Sequence, residues 1–208
     1  MSQSLQYCDN WKPYLKYGQR NYYKPKSVIY HQGQASSNGF YYLNEGLIKI
    51  SISNHVGEER IIDIVCSGRT FGEQAVDKDL YFSTATSIIG SIVYFFPYDE
   101  IKLLLEEDNQ FRMLIYNNLT EKLQLLSNNI LSDKLPSEKI LARKILTLKE
   151  LFMSNQIPFT QQELSCYTNL NRITIYNIFK KWSKNVVILT NRSIIINDIE
   201  TLREISMA

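Results

Sequence analysis

Basic side chains that could contact a polyanion are concentrated in the last third of the sequence. Up to Lys134 the chain has 13 Lys and Arg against 15 Asp and Glu, a balance of −2. From Leu135 onward it has 10 against 6, a balance of +4. This asymmetry indicates a nucleic-acid partner for the C-terminal part, although a similar excess also occurs on ordinary solvated surfaces.

Residues that could support catalysis or bind a metal form no recognisable motif in the sequence. Cys8, Cys66 and Cys166 are far apart and include no C-x-x-C pair, so we expect neither a disulfide framework nor a zinc site. His31 and His55 have no second ligand at helical or hairpin spacing. Nucleophile-elbow, phosphate-loop and zinc-protease motifs are also missing, and we therefore predict that the protein is not an enzyme.

The segment from Phe159 to Trp182 has the pattern of two short helices joined by a tight turn. Thr160 followed by Glu163 is a capping box, which predicts the start of the first helix. Asn169 tolerates the left-handed backbone that the turn requires, and Asn171 can cap the second helix. Such a helix-turn-helix places the N-terminal end of its second helix in the major groove of DNA.

The residues after this segment have the pattern of a wing. Residues 186–190 and 193–196 are rich in β-branched side chains and are separated by Asn191 and Arg192, which predicts a β-hairpin. Asp198 can cap a terminal helix that follows.

The region from Ser27 to about Tyr98 has the pattern of short β-strands. Turn-forming residues separate segments rich in β-branched and aromatic side chains at a spacing of about 10 residues, which is typical of a small barrel or sandwich. The predicted strands are residues 28–30, 40–43, 47–52, 60–65, 83–89 and 91–96.

From Asp99 to about Ser132 the pattern changes to that of a helix with an apolar stripe. This spacing is that of a helix packed along a second copy of itself, but the stripe could also be one face buried on its own domain. Pro136 breaks the pattern and Ser137 is a candidate N-cap, so we place a domain boundary at residues 134–137. The stripe, with alternating steps of three and four residues, comprises Tyr116, Leu119, Leu123, Leu126 and Ile130.

The sequence carries neither a membrane-spanning nor a secretory pattern. No apolar run approaches the roughly 20 residues that a membrane span requires. Residues 1–17 lack the apolar centre of a signal peptide. We therefore expect a cytoplasmic protein without a membrane partner.

Motifs in both halves resemble those of the Crp/Fnr family of transcription regulators, in the family's order, over residues 20–205. Phe71-Gly72-Glu73 resembles the family's pocket motif, and residues 160–164 and 171–175 resemble its two DNA-binding helices. The resemblance implies an α+β fold and favours the dimer interpretation of the apolar stripe. The implied parts are a jelly-roll-like β-roll sensor at 1–98, a long dimerisation helix at 99–134 and a winged helix-turn-helix at 135–208. The glycines at the family's turn spacing are Gly33, Gly46, Gly57, Gly68 and Gly72.

On the DNA side, the resemblance places Arg172 where family members usually read guanine. A guanidinium can bond both O6 and N7 of guanine, worth about 1–3 kcal/mol of discrimination, and the alternative role is a phosphate contact. Ile173 stands where the family often has Glu, and Asn177 where Arg is frequent, so we expect an altered half-site in which Ile173 can pack on a thymine methyl. The other expected DNA contacts are Thr160, Gln161, Asn171, Thr174, Lys180, Lys181 and Arg192.

On the sensor side, the implied effector pocket departs from cyclic-nucleotide-binding relatives at the phosphate. Those relatives carry Gly-Glu for the ribose and, about ten residues later, an Arg for the phosphate. This chain keeps Gly72-Glu73 and Ser83-Thr84, but Phe82 stands at the Arg position. Because a buried phosphate without a cation is costly, we expect that cyclic AMP is not the effector.

The remaining pocket is mostly apolar, with Phe71, Glu73 and Phe82 as its expected lining. Leu126, followed by Ser127, stands where relatives place a Thr toward the purine. An iron–sulfur cluster is not expected, since only Cys8 lies near the N-terminus, and haem is not expected, since neither His31 nor His55 is a convincing axial ligand. The pocket either takes a small organic molecule or is filled by side chains.

These inferences predict a homodimeric regulator that binds double-stranded DNA through residues 171–183 under the control of an unidentified effector. RNA polymerase and a small-molecule effector are further candidate partners, and no cofactor or metal is expected. The alternative is a ligand-binding module whose C-terminal helices mediate a protein interaction instead of DNA binding.

Overall fold

A computed structural model describes residues 10–76, 80–132 and 134–207, so Cys8 lies outside the described residues. The chain divides into two units, Met1–Gln124 and Leu125–Ala208, and the division falls within one long helix. This division comes earlier in the chain than the domain boundary predicted at residues 134–137, which lies between the end of the long helix at Ser132 and the start of the next helix at Ser137. Among the described residues, no helix is both long enough and apolar enough to span a bilayer.

The described part of the first unit contains two four-stranded antiparallel sheets. Their strands are β1 (Gln19–Tyr23), β2 (Val28–Tyr30), β3 (Gly39–Glu45), β4 (Leu47–Ser53), β5 (Glu59–Cys66), β6 (Thr70–Phe71), β7 (Thr84–Ser87) and β8 (Ser91–Pro97). One sheet has the order β1-β8-β3-β6 and the other β2-β7-β4-β5. The α+β class predicted from the sequence is confirmed.

Strand β3 is buried on both faces because a core lies on each side of its sheet. Successive side chains of a strand point to opposite faces. Tyr41 and Leu43 belong to the core between the two sheets. Tyr42 belongs to a second core, where its ring stacks on Trp11 with 4.8 Å between ring centroids. The second core also contains Phe111, from the long helix.

The turn glycines of the first unit have backbone conformations that side chains disfavour. All five that match the family spacing have positive φ, between 78° and 110°. Gly46 is the most constrained, since its φ is 110° and a Cβ there would collide with Ser91.

Strand β1 is one of two described strands of the roll that the sequence does not predict, and the other is the two-residue β6. The sequence of β1 is mostly polar, and four of its five residues are exposed. It is an edge strand that pairs with β8 from Gln19 opposite Phe95 to Tyr23 opposite Ser91. Pairing with a neighbour, and not its own apolar pattern, therefore makes this segment a strand.

The single helix expected over residues 99–134 is two helices, α1 (Tyr98–Glu107) and α2 (Asn109–Ser132). Asp108 separates them in an extended conformation with φ −102° and ψ 104°. Its Oδ1 accepts a hydrogen bond from the Phe111 amide at 3.0 Å, and its Oδ2 accepts one from the Tyr14 hydroxyl at 3.0 Å. Asp108 thus caps the start of α2, which ends α1.

The second unit contains four further helices among its described residues, with a small sheet. The helices are α3 (Ser137–Phe152), α4 (Gln161–Thr168), α5 (Arg172–Val186) and α6 (Ile199–Met207). The strands β9 (Gln156–Ile157), β10 (Val187–Leu189) and β11 (Ile194–Ile196) form an antiparallel sheet in the order β10-β11-β9. The N-cap of α3 is Pro136, so Ser137 is the first helical residue and not the cap that the sequence suggested.

Candidate functional site

The two helices of the predicted helix-turn-helix begin and end where their sequence signals indicate. Thr160 Oγ1 accepts from the Glu163 amide at 3.2 Å, and Glu163 Oε2 accepts from the Thr160 amide at 2.8 Å, which completes the capping box. Asn169 has a left-handed conformation with φ 60°. Asn171 Oδ1 accepts from the Ile173 amide at 2.9 Å and caps α5.

Side chains of α4 hold the turn and the first residue of α5 in place. The Gln161 side-chain amide donates to the Arg172 carbonyl at 2.8 Å. The Ser165 hydroxyl donates to the Leu170 carbonyl at 2.7 Å. Gln161, which the sequence assigned to DNA contact, therefore has a positioning role in the free protein, next to the residue expected to read guanine.

Helix α5 has one buried face and one exposed face. Its buried face packs into the core of the unit through Ile175, Ile178, Phe179, Trp182 and Val186. Ile173 and Tyr176 are 69% and 57% exposed on the other face. The polar residues described as exposed along this helix are Arg172, Asn177, Lys180, Lys181, Lys184 and Asn185, with Thr174 half-buried.

Lys181 differs from its neighbour Lys180 because it is paired with a carboxylate of α3. Its Nζ lies 2.6 Å from Glu138 Oε2, and Trp182 Nε1 donates to Glu138 Oε1 at 2.7 Å. The hydrogen bond from Lys181 is the main cause that lowers the pKa of Glu138, and the hydrogen bond from Trp182 lowers it further. Desolvation by burial has the opposite effect but is outweighed. Glu138 thus fixes the middle of α5 against α3, a partner that the sequence did not single out.

The predicted wing is an antiparallel hairpin whose turn carries Arg192. Thr190 and Ser193 close the turn, since the Thr190 amide donates to the Ser193 carbonyl at 2.8 Å and the Ser193 amide donates to Thr190 Oγ1 at 2.9 Å. Asn191 and Arg192 are exposed at its tip. The hairpin therefore presents a cation on a fixed turn.

In the first unit, the pocket motif forms a turn whose carboxylate is paired with a lysine of α2. Gly72 has a left-handed conformation, and Phe71 before it is buried. Both carboxylate oxygens of Glu73 lie 2.6 Å from Lys122 Nζ, and the Thr70 hydroxyl also donates to Glu73. The sequence did not indicate Lys122, because 49 residues separate it from Glu73.

A second polar contact links the same strand and helix. The Thr70 amide donates to Asn118 Oδ1 at 3.1 Å, and Asn118 Nδ2 donates to the Leu114 carbonyl at 3.0 Å. Asn118 is 1% exposed, so these bonds satisfy a buried amide. Helix α2 is therefore held at two points one turn apart, by Asn118 against β6 and by Lys122 against the turn after it.

Aromatic rings fill the space between the two sheets beside the pocket turn. The Tyr30 and Tyr81 rings stack with 3.9 Å between centroids and 9° between planes. Tyr41 stacks on Phe71 at 5.1 Å. Burial is the main cause that raises the pKa of the Tyr30 hydroxyl well above its ordinary value. Of these four rings, only that of Phe71 was predicted from the sequence to line the pocket.

The structure brings together only part of the expected effector pocket. Ser83 is 1% exposed and its hydroxyl accepts from Gln74 Nε2 at 2.7 Å, whereas Thr84 Oγ1 accepts from the Gln32 amide. Phe82, expected to line the pocket, is 62% exposed. Leu126 and Ser127 are exposed and belong to the second unit.

Within a single chain, the apolar stripe of α2 is uncovered. All five of its residues are large and between 43% and 67% exposed: Tyr116, Leu119, Leu123, Leu126 and Ile130. They contrast with Phe111 and Leu114, near the start of the same helix, which are buried in the second core of the roll.

Comparisons with known proteins identify both halves of the chain. The family model of the cyclic nucleotide-binding domain matches residues 20–108, and that of the Crp-like helix-turn-helix domain matches residues 141–205. Among curated protein sequences, none matches this chain significantly.

Solved structures of similar fold cover nearly the whole chain. TTHA1359 from Thermus thermophilus, a CRP/FNR-family transcriptional regulator, is 17% identical with a TM-score of 0.80, over 91% of this chain and 99% of that one. The c-di-GMP-responsive global regulator CLP of Xanthomonas campestris is 14% identical with a TM-score of 0.79, over the same shares. FixK2 from Bradyrhizobium japonicum is 14% identical with a TM-score of 0.72, over 92% and 98%.

The two family matches occur in the order of the two units, each on the unit whose geometry fits it. The first lies on the double-sheet roll and the second on the capped helix-turn-helix with its wing. The chain therefore belongs to the Crp/Fnr family of DNA-binding transcription regulators.

Proposed function

We propose that this regulator acts as a homodimer, binds an inverted-repeat operator with the N-terminal part of α5, and does not use cyclic AMP as its effector. The observation that carries the proposal is the pair of uncovered surfaces on capped helices, one on α2 and one on α5. The first fits a second copy of the chain and the second fits duplex DNA.

The α2 stripe supports dimerisation because monomers rarely leave such a surface in water. Its five large side chains follow the three-and-four spacing of a coiled-coil seam, and each is more than 40% exposed. Two copies related by a two-fold axis bury the same stripe against itself.

The α5 face supports DNA binding because its first turns carry groups that reach base edges. Arg172 can bond guanine and Asn177 can bond adenine, each in a bidentate manner. Both are exposed, and the Asn171 cap and the Gln161 bond to the Arg172 carbonyl fix the turn that presents them. Lys180 and Arg192 are exposed cations suited to phosphates.

Three features of the roll argue against cyclic AMP. Glu73, the residue that resembles the family's ribose ligand, has both oxygens engaged by Lys122 at 2.6 Å. Phe82, at the position of the phosphate-binding Arg, is exposed and uncharged. The stacked rings of Tyr30 and Tyr81 support the alternative in which the interior is filled by the protein's own side chains.

Sedimentation velocity tests the dimer. We expect a dimer at micromolar concentrations and a shift to monomer for Leu123→Glu, since each dimer then buries two carboxylates in its seam. Leu103→Glu, at a 62% exposed position on α1, is the matched control and should stay dimeric. A wild-type chain that stays monomeric at all concentrations contradicts the proposal.

Two binding measurements test the remaining parts. Fluorescence anisotropy with random duplex DNA should show affinity that falls steeply with salt, because phosphate contacts release counterions. Absence of such binding would favour the alternative in which the C-terminal helices contact a protein. Calorimetry with cyclic AMP should show no heat of binding, and micromolar affinity would refute the effector part.

A further inference from the structure

The exposed face of α5 contains two large apolar side chains among its polar residues. Ile173 is 69% exposed and Tyr176 is 57% exposed, while Ile175 and Ile178 of the same helix are buried. Each of these side chains leaves apolar surface in water that burial would stabilise. Two apolar side chains therefore stay exposed to water near the N-terminal end of α5. This is the helix that we propose enters DNA.

The two side chains are neighbours on the helix surface. Residues three apart in a helix lie about 5–6 Å from each other at Cβ, so Ile173 and Tyr176 form one apolar patch. The patch lies in the first two turns after the Asn171 cap, which are the turns that a helix-turn-helix places deepest in the major groove. Arg172 and Asn177 flank it in sequence, one at each end.

The chemistry of the major groove leaves one apolar partner for this patch. Guanine, cytosine and adenine present hydrogen-bond donors or acceptors there, and only thymine adds a methyl group. A polar base edge that contacts an alkyl chain or an aromatic ring loses its hydrogen bonds to water. Neither group can replace those bonds. A thymine methyl loses no hydrogen bond when water is removed from it.

We propose that Ile173 and Tyr176 together form a thymine-methyl reading surface, so that each half-site contains thymines next to the guanine bound by Arg172. This inference rests on the proposed function, since it names which bases the same helix reads. The Tyr176 ring, and not its hydroxyl, makes the contact.

Deoxyuridine tests the inference directly because it lacks the methyl group and keeps every hydrogen-bonding atom of thymine. The experiment starts from a duplex obtained by selection of bound sequences and replaces its thymines by deoxyuridine one at a time. At one or more positions in each half-site, the substitution should weaken binding about fourfold for each thymine methyl group that is removed. Substitution in both half-sites should multiply the two effects.

Variants assign the effect to the patch. For Ile173→Ala, duplexes with thymine or deoxyuridine at one of the sensitive positions should bind equally well. For Tyr176→Ala, the same should hold at a neighbouring position. Tyr176→Phe should keep the full discrimination. Met207→Ala removes an apolar side chain that is 75% exposed on α6, and as the matched control it should discriminate like the wild type.

Failure of the thymine-reading inference can be told apart from failure of the proposed function. Salt-dependent DNA binding that is insensitive to every deoxyuridine substitution overturns the thymine-reading inference and leaves the regulator function standing. Loss of all DNA binding, in the wild type as in the variants, overturns the proposed function itself. If Tyr176→Phe loses discrimination, the hydroxyl makes the contact and the assignment of the ring is wrong.

Discussion

Lys122 on α2 and Glu73 on the turn after β6 form an ion pair in which Nζ lies 2.6 Å from both carboxylate oxygens. The two side chains are only 22% and 16% exposed. The pair joins the roll to the helix that also carries the uncovered apolar stripe. The carboxylate of the turn that resembles the family's pocket motif is therefore engaged by the chain itself.

We expect Lys122→Met to destabilise the first unit by about 1–3 kcal/mol, between the values for exposed and buried ion pairs, because Glu73 then loses its cation. Glu73→Gln should cost a similar amount, and the double variant should cost less than the sum of the two. Urea unfolding measures all three. Lys49→Met, which breaks the more exposed pair with Glu59, is the control and should have a smaller effect. Strictly additive losses would mean that the ion pair does not stabilise the fold.

The stacked rings predict a large loss of stability on truncation. Tyr81 is 1% exposed and its ring lies 3.9 Å from that of Tyr30, so Tyr81→Ala should cost about 3–5 kcal/mol through the cavity it leaves. Tyr81→Phe keeps the ring and should cost about 1 kcal/mol for the hydroxyl contacts. Phe82→Ala, next in sequence but 62% exposed, should change stability by about 0.5 kcal/mol or less. A Tyr81→Ala protein of wild-type stability would show that the rings do not fill the interior.

Arg172 and Lys180 should differ in how their loss affects DNA binding. Arg172→Ala removes a base contact and should cost about 1–3 kcal/mol at one guanine of each half-site, so that all four bases become equally acceptable there. Lys180→Ala removes one phosphate contact in each subunit of the dimer and should weaken all sequences alike, with a salt slope reduced by about 2. Selection of bound DNA and salt titrations measure both. Unchanged specificity for Arg172→Ala would assign it to phosphate instead.

The Glu138 contacts predict a pH-dependent stability of the second unit. The Lys181 and Trp182 hydrogen bonds lower the pKa of Glu138 below its ordinary 4.5 in the folded state. The stabilisation is therefore complete above about pH 5 and is lost as the pH falls through the folded pKa. Urea unfolding should show Glu138→Gln less stable than the wild type at pH 7, with a difference that narrows as the pH falls below the ordinary carboxyl pKa of 4.5.

The control for this pH dependence is Glu204→Gln, which replaces an exposed carboxylate of α6. It should differ little from the wild type over the same pH range. A gap between Glu138→Gln and the wild type that is constant from pH 7 to about pH 3 would mean that ionisation of Glu138 does not contribute.

The helix-turn-helix could be predicted closely because its signals are local. Thr160, Glu163, Asn169 and Asn171 act on backbone groups within three residues of themselves, so their positions along the chain determine their roles. Tyr176 was within reach of the same reasoning, since it lies off the buried face of α5. The break at Asp108 was missed because helix-forming residues lie on both sides of it. In such a run, a single capping residue cannot be told from an exposed helical one.

The amino-acid sequence by itself determined the turn glycines and the caps of the helix-turn-helix, because each depends on the conformational preferences of a few adjacent residues. Only the tertiary structure decided which distant groups meet. It paired Glu73 with Lys122, stacked Tyr30 on Tyr81, and turned Phe82 outward from the roll. These arrangements depend on how sheets and helices pack, and packing joins residues whose separation along the chain carries no signal of their contact.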